Sequence, residues 1–307
     1  MNAFLTLTGY RHHALTKLSG VPVLVFTFTA LLLLSACGGG DNTVRSVKQV
    51  VRIRGSNTMS RLLARWAEEY MRIHPGVAMY TEGHGTETGI QALINGSADL
   101  ATASRPLRAE EARAMLEKRR TLGFSILTSK DALSVYLHPD NPVRNLTLQQ
   151  LRGLFSGRIS SWSEIGGPPL PVQVIGRPPN SGTFFFFEEH VLQGESYAST
   201  TLTIPTTSAL IKHIMSEPGA IGYGGLAFGA DVIHASIDGI APTAENVRNG
   251  SYPIARYLYL YAAEAPHGVV KDFIDWVLSD AGQRIVQEIG YIPLWEVDTK
   301  HGEGTTR

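Results

Sequence analysis

Four short segments of this 307-residue chain share one grammar of small residues and hydroxyls: GSNT (55–58), GHGTETG (83–89), TASRP (102–106) and RPPNSGT (177–183). Ser56, Thr58, Thr86, Ser104, Ser181 and Thr183 offer hydroxyl donors, and Gly182 lets the main chain approach a ligand closely. Arg105 and Arg177 add planar guanidinium forks, a shape that matches a tetrahedral oxyanion. Pro106 biases Arg105 towards extended backbone and so fixes where its side chain leaves the loop. Each feature alone is ordinary. Ser and Thr often just cap helices, a lone GxG is commonly a turn, and neither G-x-G-x-x-G nor a Walker pattern occurs here. Two arginines among four hydroxyl loops are less ordinary, and together they point to an anion site.

Such loops need strands to launch them and helices to receive them. VVRIRG is a β-branched run ending at Gly55, after which Met59, Leu62, Leu63, Trp66 and Tyr70 recur at helical spacing up to His74. Val77 to Tyr80 predicts a second strand, GIQALI a short helix, ADLATAS a third strand and EEARAMLEKRR a helix. DALSVYLHP, VQVIGR, AIGYGG and IARYLYLYAA predict further strands. LTLQQLRGLFSG, SALIKHIMSEPG and the closing VVKDFIDWVLSDAGQRIVQEIG predict helices. This alternation argues for an α/β fold with a mainly parallel sheet. The four loops then leave the carboxyl ends of strands, where open α/β sheets bind ligands. Three run straight into helix N-termini, whose free amides and dipole favour an anion. RPPNSGT continues into Phe184–Phe187; the lack of alternation, the following glutamates and Gly194 favour a helix from about Thr183. Four adjacent phenylalanines cover most of one turn, so that turn is expected to be buried nearly all round.

Two strands, 132–138 and 254–261, are candidate crossovers between lobes. They divide the chain into residues 46–130 plus 256–296 as lobe 1, 131–255 as lobe 2 and 297–307 as a tail, a hinge architecture. The N-terminus reads separately. Arg11 and Lys17 precede the apolar run Val21 to Leu34, then Ser35, Ala36 and Cys37. The run is shorter than the roughly 20 residues of a membrane span, and LSAC (34–37) resembles a bacterial lipobox. Residues 1–36 are therefore expected to be a removed signal segment, Cys37 a lipidated first residue, and 37–45 a flexible tether. Cys37 is the only cysteine, and the formal net charge of zero gives no global field for nucleic acid. The ten histidines form no H-E-x-x-H pair, and G-x-S-x-G is absent, so neither a metal centre nor an enzyme is expected. Trp162, Tyr223 and Tyr257 read as packing, and His84 as structural or as a further hydrogen-bond partner.

In order along residues 51–294, GSNT, GTETGI, GSADLATASRPL, NLTLQQLRGLFSGRISSWSEIGG, RPPNSGT, PGAIGYG, YPIARYLYLY and GYIPL resemble periplasmic phosphate-binding proteins of the PstS type. The resemblance implies a type II periplasmic-binding fold: two α/β lobes, two crossover strands, and a ligand cleft between them. It implies inorganic phosphate as ligand, the permease of an ABC importer as partner, a monomer in the periplasm or cell envelope, and no cofactor. The family's contacts fall on Ser56, Asn57 and Thr58, with Met59 through its main chain, on Gly85 and Thr86, and on Arg177, Ser181, Gly182 and Thr183. Some members carry an Asp where this chain has Arg105, and that Asp accepts the proton of bound phosphate. With Arg105 directed at the anion instead, the proton acceptor falls to Glu87 or Glu82, or sulfate and molybdate become alternatives. A sensor without a permease also fits, and a phosphatase fits less well.

Overall fold

The computed structural model describes residues 48–297. The signal segment, Cys37, the tether and the tail beyond residue 297 lie outside the described residues. Strand β1 (Gln49–Gly55), helix α1 (Ser60–Ile73), β2 (Val77–Gly83), α2 (Thr86–Ile94), β3 (Leu100–Ala103) and α3 (Ala109–Arg119) alternate as their residue patterns dictate. β1 lies between β2 and β3 and is parallel to both, because Val51 and Ile53 are wholly buried there. Helices cover both faces. Leu62, Leu63, Trp66 and Tyr70 of α1 pack on one side, and Ile90, Leu93 and Met115 of α2 and α3 on the other.

β4 (Phe124–Leu137) then carries the chain out of this lobe. The second lobe follows with β5 (Asn145–Leu146), α4 (Leu148–Ser156), β6 (Gln173–Gly176), α5 (Gly182–Phe187), β7 (Leu202–Thr203) and α6 (Thr207–Ile214). It closes with β8 (Ala220–Gly225), β9 (Ile233–Ile237) and α7 (Ala244–Arg248). β10 (Ala255–Ala262) returns to the first lobe, where α8 (Gly268–Val277) and α9 (Asp280–Glu288) pack against α1 and β1. The strand order β2-β1-β3-β10-β4-β8-β6-β7 makes one curled sheet. β4 is its shared member: residues 124–132 pair with β10, and residues 133–137 pair with β8. The second lobe has its own core, with Leu133 and Val135 of β4, Leu154 and Phe155 of α4, Phe187 and Tyr223.

Two boundaries differ from expectation. β4 begins at Phe124 rather than Asp131, since its first residues, FSIL, are largely exposed beside β10 and the polar TSK that follows lacks a strand's apolar signature. The closing helix is broken, because the Ser279 hydroxyl caps α9 by accepting from the Gly282 amide.

Candidate functional site

The four loops meet. GSNT follows β1, GHGTETG joins β2 to α2, TASRP follows β3, and RPPNSGT joins β6 to α5. Ser56, Thr58, Thr86, Ser104, Arg105, Arg177, Ser181, Gly182 and Thr183 are all buried. Thr58 Oγ1 and Thr183 Oγ1, from opposite lobes, are 2.9 Å apart, and Thr86 Oγ1 lies 3.5 Å from Ser104 Oγ. Asn57 Nδ2 donates to the Gly83 carbonyl at 3.3 Å, while its Oδ1 accepts the Thr207 amide at 3.3 Å. Gly85 has φ +117 and presses on Asn180, whose carbonyl accepts the Glu87 amide at 3.2 Å. Asn180 also donates from Nδ2 to the His84 carbonyl at 3.0 Å. Met59 sits behind the loop in the core, and the Tyr291 hydroxyl donates to the Thr58 carbonyl.

Gly182 is where one lobe's backbone meets the other lobe's hydroxyls. A Cβ there would lie 2.4 Å from Thr86 Oγ1 and 2.6 Å from Ser104 Oγ, far inside contact distance. Gly182→Ala is therefore expected to weaken anion binding roughly tenfold or more by wedging the lobes apart, at a cost of about 1–3 kcal/mol to the closed state. Isothermal calorimetry measures this, and wild-type affinity in the variant would contradict such close apposition.

The arginines divide into two kinds. Arg105 does not stand free. Its Nη1 and Nη2 donate to Glu111 Oε2 and Oε1 at 2.7 and 2.6 Å, a buried bidentate pair that leaves Nε unpartnered. Arg256, not singled out from the sequence, is bound in the same way. Its Nε and Nη2 donate to Asp131 Oδ2 at 3.0 and 2.8 Å, and Nη1 reaches Thr183 Oγ1 at 3.1 Å. Asp131 and Arg256 are register partners on β4 and β10, so this ion pair sits where the chain crosses between lobes. Burial pushes the Asp131 carboxyl up from the ordinary carboxylate value, and Arg256 offsets part of that rise. An arginine inside the otherwise apolar run IARYLYLY was the available signal, because a charge in a core strand requires a partner.

Arg177 has no acid. It is 2% exposed, and its Nη1 and Nη2 donate to Thr207 Oγ1 at 2.9 Å and the Pro205 carbonyl at 2.7 Å, with Nε unpartnered. Among the described residues it forms no salt bridge. Desolvation, with Arg256 nearby, pushes it down to about 10, so it remains a cation at neutral pH. It lines a cavity of about 140 Å³ with Asn57, Gly83, Gly85 and Ser181. The site thus has two arginines already neutralised by acids behind them and one that is not. That arrangement, ringed by hydroxyls, is suited to an oxyanion.

The acids considered as proton acceptors stand further out. Glu82 pairs with Arg54 at 3.0 Å, Glu87 lies 3.7 Å from Arg108, and both side chains are more than a third exposed. His84 is exposed beside Glu82. Trp162 and Tyr223 are buried in the second lobe's core, while Tyr257 is 39% exposed and carries Lys130 over its ring. The phenylalanine quartet is only partly enclosed. Phe187 stacks on Tyr223 at 4.0 Å and Phe184 on Tyr197 at 4.9 Å, anchoring α5. Phe185 and Phe186 instead face the guanidinium groups of Arg105, Arg108 and Arg256. The half-buried Phe184 and Phe185 depart from the expected all-round burial.

Comparison with known proteins bears on this geometry. The model of the PBP superfamily domain matches residues 40–281. The phosphate-binding protein PstS of Pseudomonas aeruginosa PAO1 is 31% identical over 263 residues, covering 78% of this chain and 81% of the relative. The chain belongs to the PBP superfamily, among the PstS-type phosphate-binding proteins. PstS of Bacillus subtilis is 28% identical over 289 residues, covering 90% of this chain and 94% of that PstS. Among solved PBP-type structures, a Clostridium perfringens substrate-binding protein with bound phosphate superposes with TM-score 0.75 at 29% identity, over 80% of this chain and all of that one. An ABC-type phosphate transport receptor from Vibrio cholerae gives 0.66 at 26% identity, over 79% and 99%. The type II periplasmic-binding architecture of two lobes is thereby shared.

Proposed function

We propose that this protein binds inorganic phosphate outside the cytoplasm and delivers it to an ABC-type importer, without acting as an enzyme. The observation that carries this reading is Arg177: a buried cation without a counter-charge among the described residues, lining a cavity with Ser181 and Asn57. The names of the PstS relatives and the phosphate bound in the Clostridium perfringens protein support it. Arg177 supplies the charge. Ser56, Asn57, Thr58, Gly85, Thr86, Ser104, Ser181, Gly182 and Thr183 supply hydroxyl or amide donors. Arg105 acts by holding the TASRP loop through the Pro106 carbonyl and Glu111, its own fork being taken by that carboxylate. Residues 46–130 plus 256–296 and residues 131–255 move as lobes, and closure is driven by the ligand's extra contacts in the closed state. A lipid on Cys37 holds the monomeric protein to its membrane.

A second ligand class is favoured by one observation. Glu111 and Asp131 both face arginines, so among the described residues no bare carboxylate is presented to the anion. Proteins that reject an isostere strongly do so by leaving a buried polar group unpaired against it, a discrimination of roughly 10,000-fold or more. Hydroxyls both donate and accept, and they impose no such penalty. Sulfate is therefore expected to bind within about a hundredfold of phosphate. Calorimetry with phosphate, sulfate and molybdate across pH tests both readings. No binding of any of the three overturns the receptor assignment, and discrimination above roughly 10,000-fold overturns the relaxed selectivity.

A further inference from the structure

Strand β4 carries one residue more than β10 along their shared ladder, and that residue decides which charge backs the site. Ile126 stands opposite Leu260 and Leu127 opposite Tyr259, then the register resumes with Ser129 opposite Leu258, so Thr128 has no counterpart. Thr128 and Ser129 are both wholly buried, as two successive residues facing one partner are in a β-bulge. Before the bulge Ile126 shares the inner face with Leu260; beyond it Ser129 and Asp131 share that face with Leu258 and Arg256. In an unbulged ladder Lys130 would stand opposite Arg256, and Asp131 would turn to the outer face with the half-exposed Tyr257. The ion pair exists because of Thr128.

The bulge is held from two sides. Thr128 Oγ1 donates to the Leu258 carbonyl at 3.1 Å, and the Thr128 carbonyl accepts from Gln283 Nε2 at 3.0 Å. Gln283, wholly buried on α9, also donates to the Val277 carbonyl at 3.0 Å and accepts the Leu294 amide at 3.0 Å. Two carbonyls and one N–H around this amide fix which end carries the nitrogen. Just past the bulge, Lys130 and Ile292 exchange backbone hydrogen bonds at 2.8 and 3.0 Å. Arg256 carries the effect into the site, because it donates to Thr183 Oγ1 at 3.1 Å and to Thr58 Oγ1 at 3.5 Å as well as to Asp131. Those hydroxyls are 2.9 Å apart, so one donates to the other and the remaining proton, turned away from Arg256, is left for the anion. We propose that the Thr128 bulge, locked by Gln283, positions Arg256 and, through it, the Thr58 and Thr183 hydroxyls for the bound oxyanion. This deepens the oxyanion reading of the same site and rests on it. Gln283 is a positioning residue: its three partners are backbone groups outside the site.

Gln283→Leu removes the amide at nearly constant volume. Calorimetry with phosphate, well below each variant's melting temperature, is expected to show binding weakened about tenfold or more in the otherwise wild-type protein. The same substitution is then made in Asp131→Asn/Arg256→Met, which keeps Arg177 for the anion but has no second guanidinium to position. There it is expected to change affinity by less than about twofold, the range of independent sites. Equal losses in the two backgrounds would assign Gln283 to the fold alone and overturn the proposal, and so would unchanged affinity in the otherwise wild-type protein. Thr128→Val, which keeps the side chain's shape and drops only the hydroxyl to Leu258, decides the matter if Gln283→Leu does not fold. Its expected loss is about threefold, again confined to protein that retains Arg256. An equal loss in both backgrounds, or none, overturns the proposal here too. Wild-type protein that binds neither phosphate nor sulfate overturns the receptor assignment itself, which keeps that failure distinct from failure of the bulge.

Discussion

Arg177→Met is expected to abolish phosphate-induced stabilisation while leaving the ligand-free protein's stability within about 1 kcal/mol of wild type. The two halves of this expectation come from the same geometry. In the ligand-free protein the buried guanidinium incurs a desolvation cost of several kcal/mol, with no acid to offset it. Its hydrogen bonds to Thr207 Oγ1 and the Pro205 carbonyl return a comparable amount, about 1.5–3 kcal/mol each. Methionine has similar volume and removes both terms together. Bound phosphate changes the balance, because a dianion against an uncompensated cation in a dry site is worth about 2–5 kcal/mol, roughly 30- to 5,000-fold in affinity. Thermal melts with and without phosphate measure both quantities. If Arg177 served only the fold, the ligand-free variant would melt several degrees lower and the phosphate shift would survive.

Most of the architecture was legible in the sequence because each signal was local. Val51 and Ile53 before Gly55, or Leu62, Leu63, Trp66 and Tyr70 at helical spacing, state their element within one window. The loops were legible for the same reason, since a strand's end, a glycine and a hydroxyl adjoin in the chain. What stayed hidden was which charges cancel. Arg105 and Arg177 look alike in sequence, each a fork in a hydroxyl loop, yet one is held by Glu111 and the other by neutral oxygens. Glu111 stood among the many charges of EEARAMLEKRR, and it is nevertheless 1% exposed because it caps α3 and clamps Arg105 at once. Asp131 and Arg256 were further out of reach. Their pairing depends on the register of two crossover strands, and a one-residue slip would send the two charges to opposite faces. The phenylalanines illustrate the same limit. Their burial by Tyr223 and Tyr197 follows from hydrophobicity, whereas Phe185 and Phe186 face arginines that the other lobe brings to them.

The Asp131–Arg256 pair makes the second large prediction, and its sign differs between fold and ligand. Asp131→Asn keeps the shape and an oxygen able to accept from Arg256, but it removes the charge that neutralises a guanidinium 1% exposed. Breaking one side of a buried pair costs about 3–5 kcal/mol, which for a domain of this size lowers the melting temperature by roughly 6–20 °C. Arg256 then becomes a second uncompensated cation, and its Nη1 already lies 3.1 Å from Thr183 Oγ1 in the site. Phosphate supplies the missing negative charge, so the stabilisation it confers is expected to be larger in Asp131→Asn than in wild type. An equal shift would mean that Arg256 does not face the anion. The double variant Asp131→Asn/Arg256→Met separates the two effects: it should recover much of the lost stability, since no charge is left unpaired, and its phosphate shift should fall back to the wild-type value or below. Because β4 pairs with β10 in one lobe and with β8 in the other, the same ion pair places the charge of the site on the strand that both lobes share.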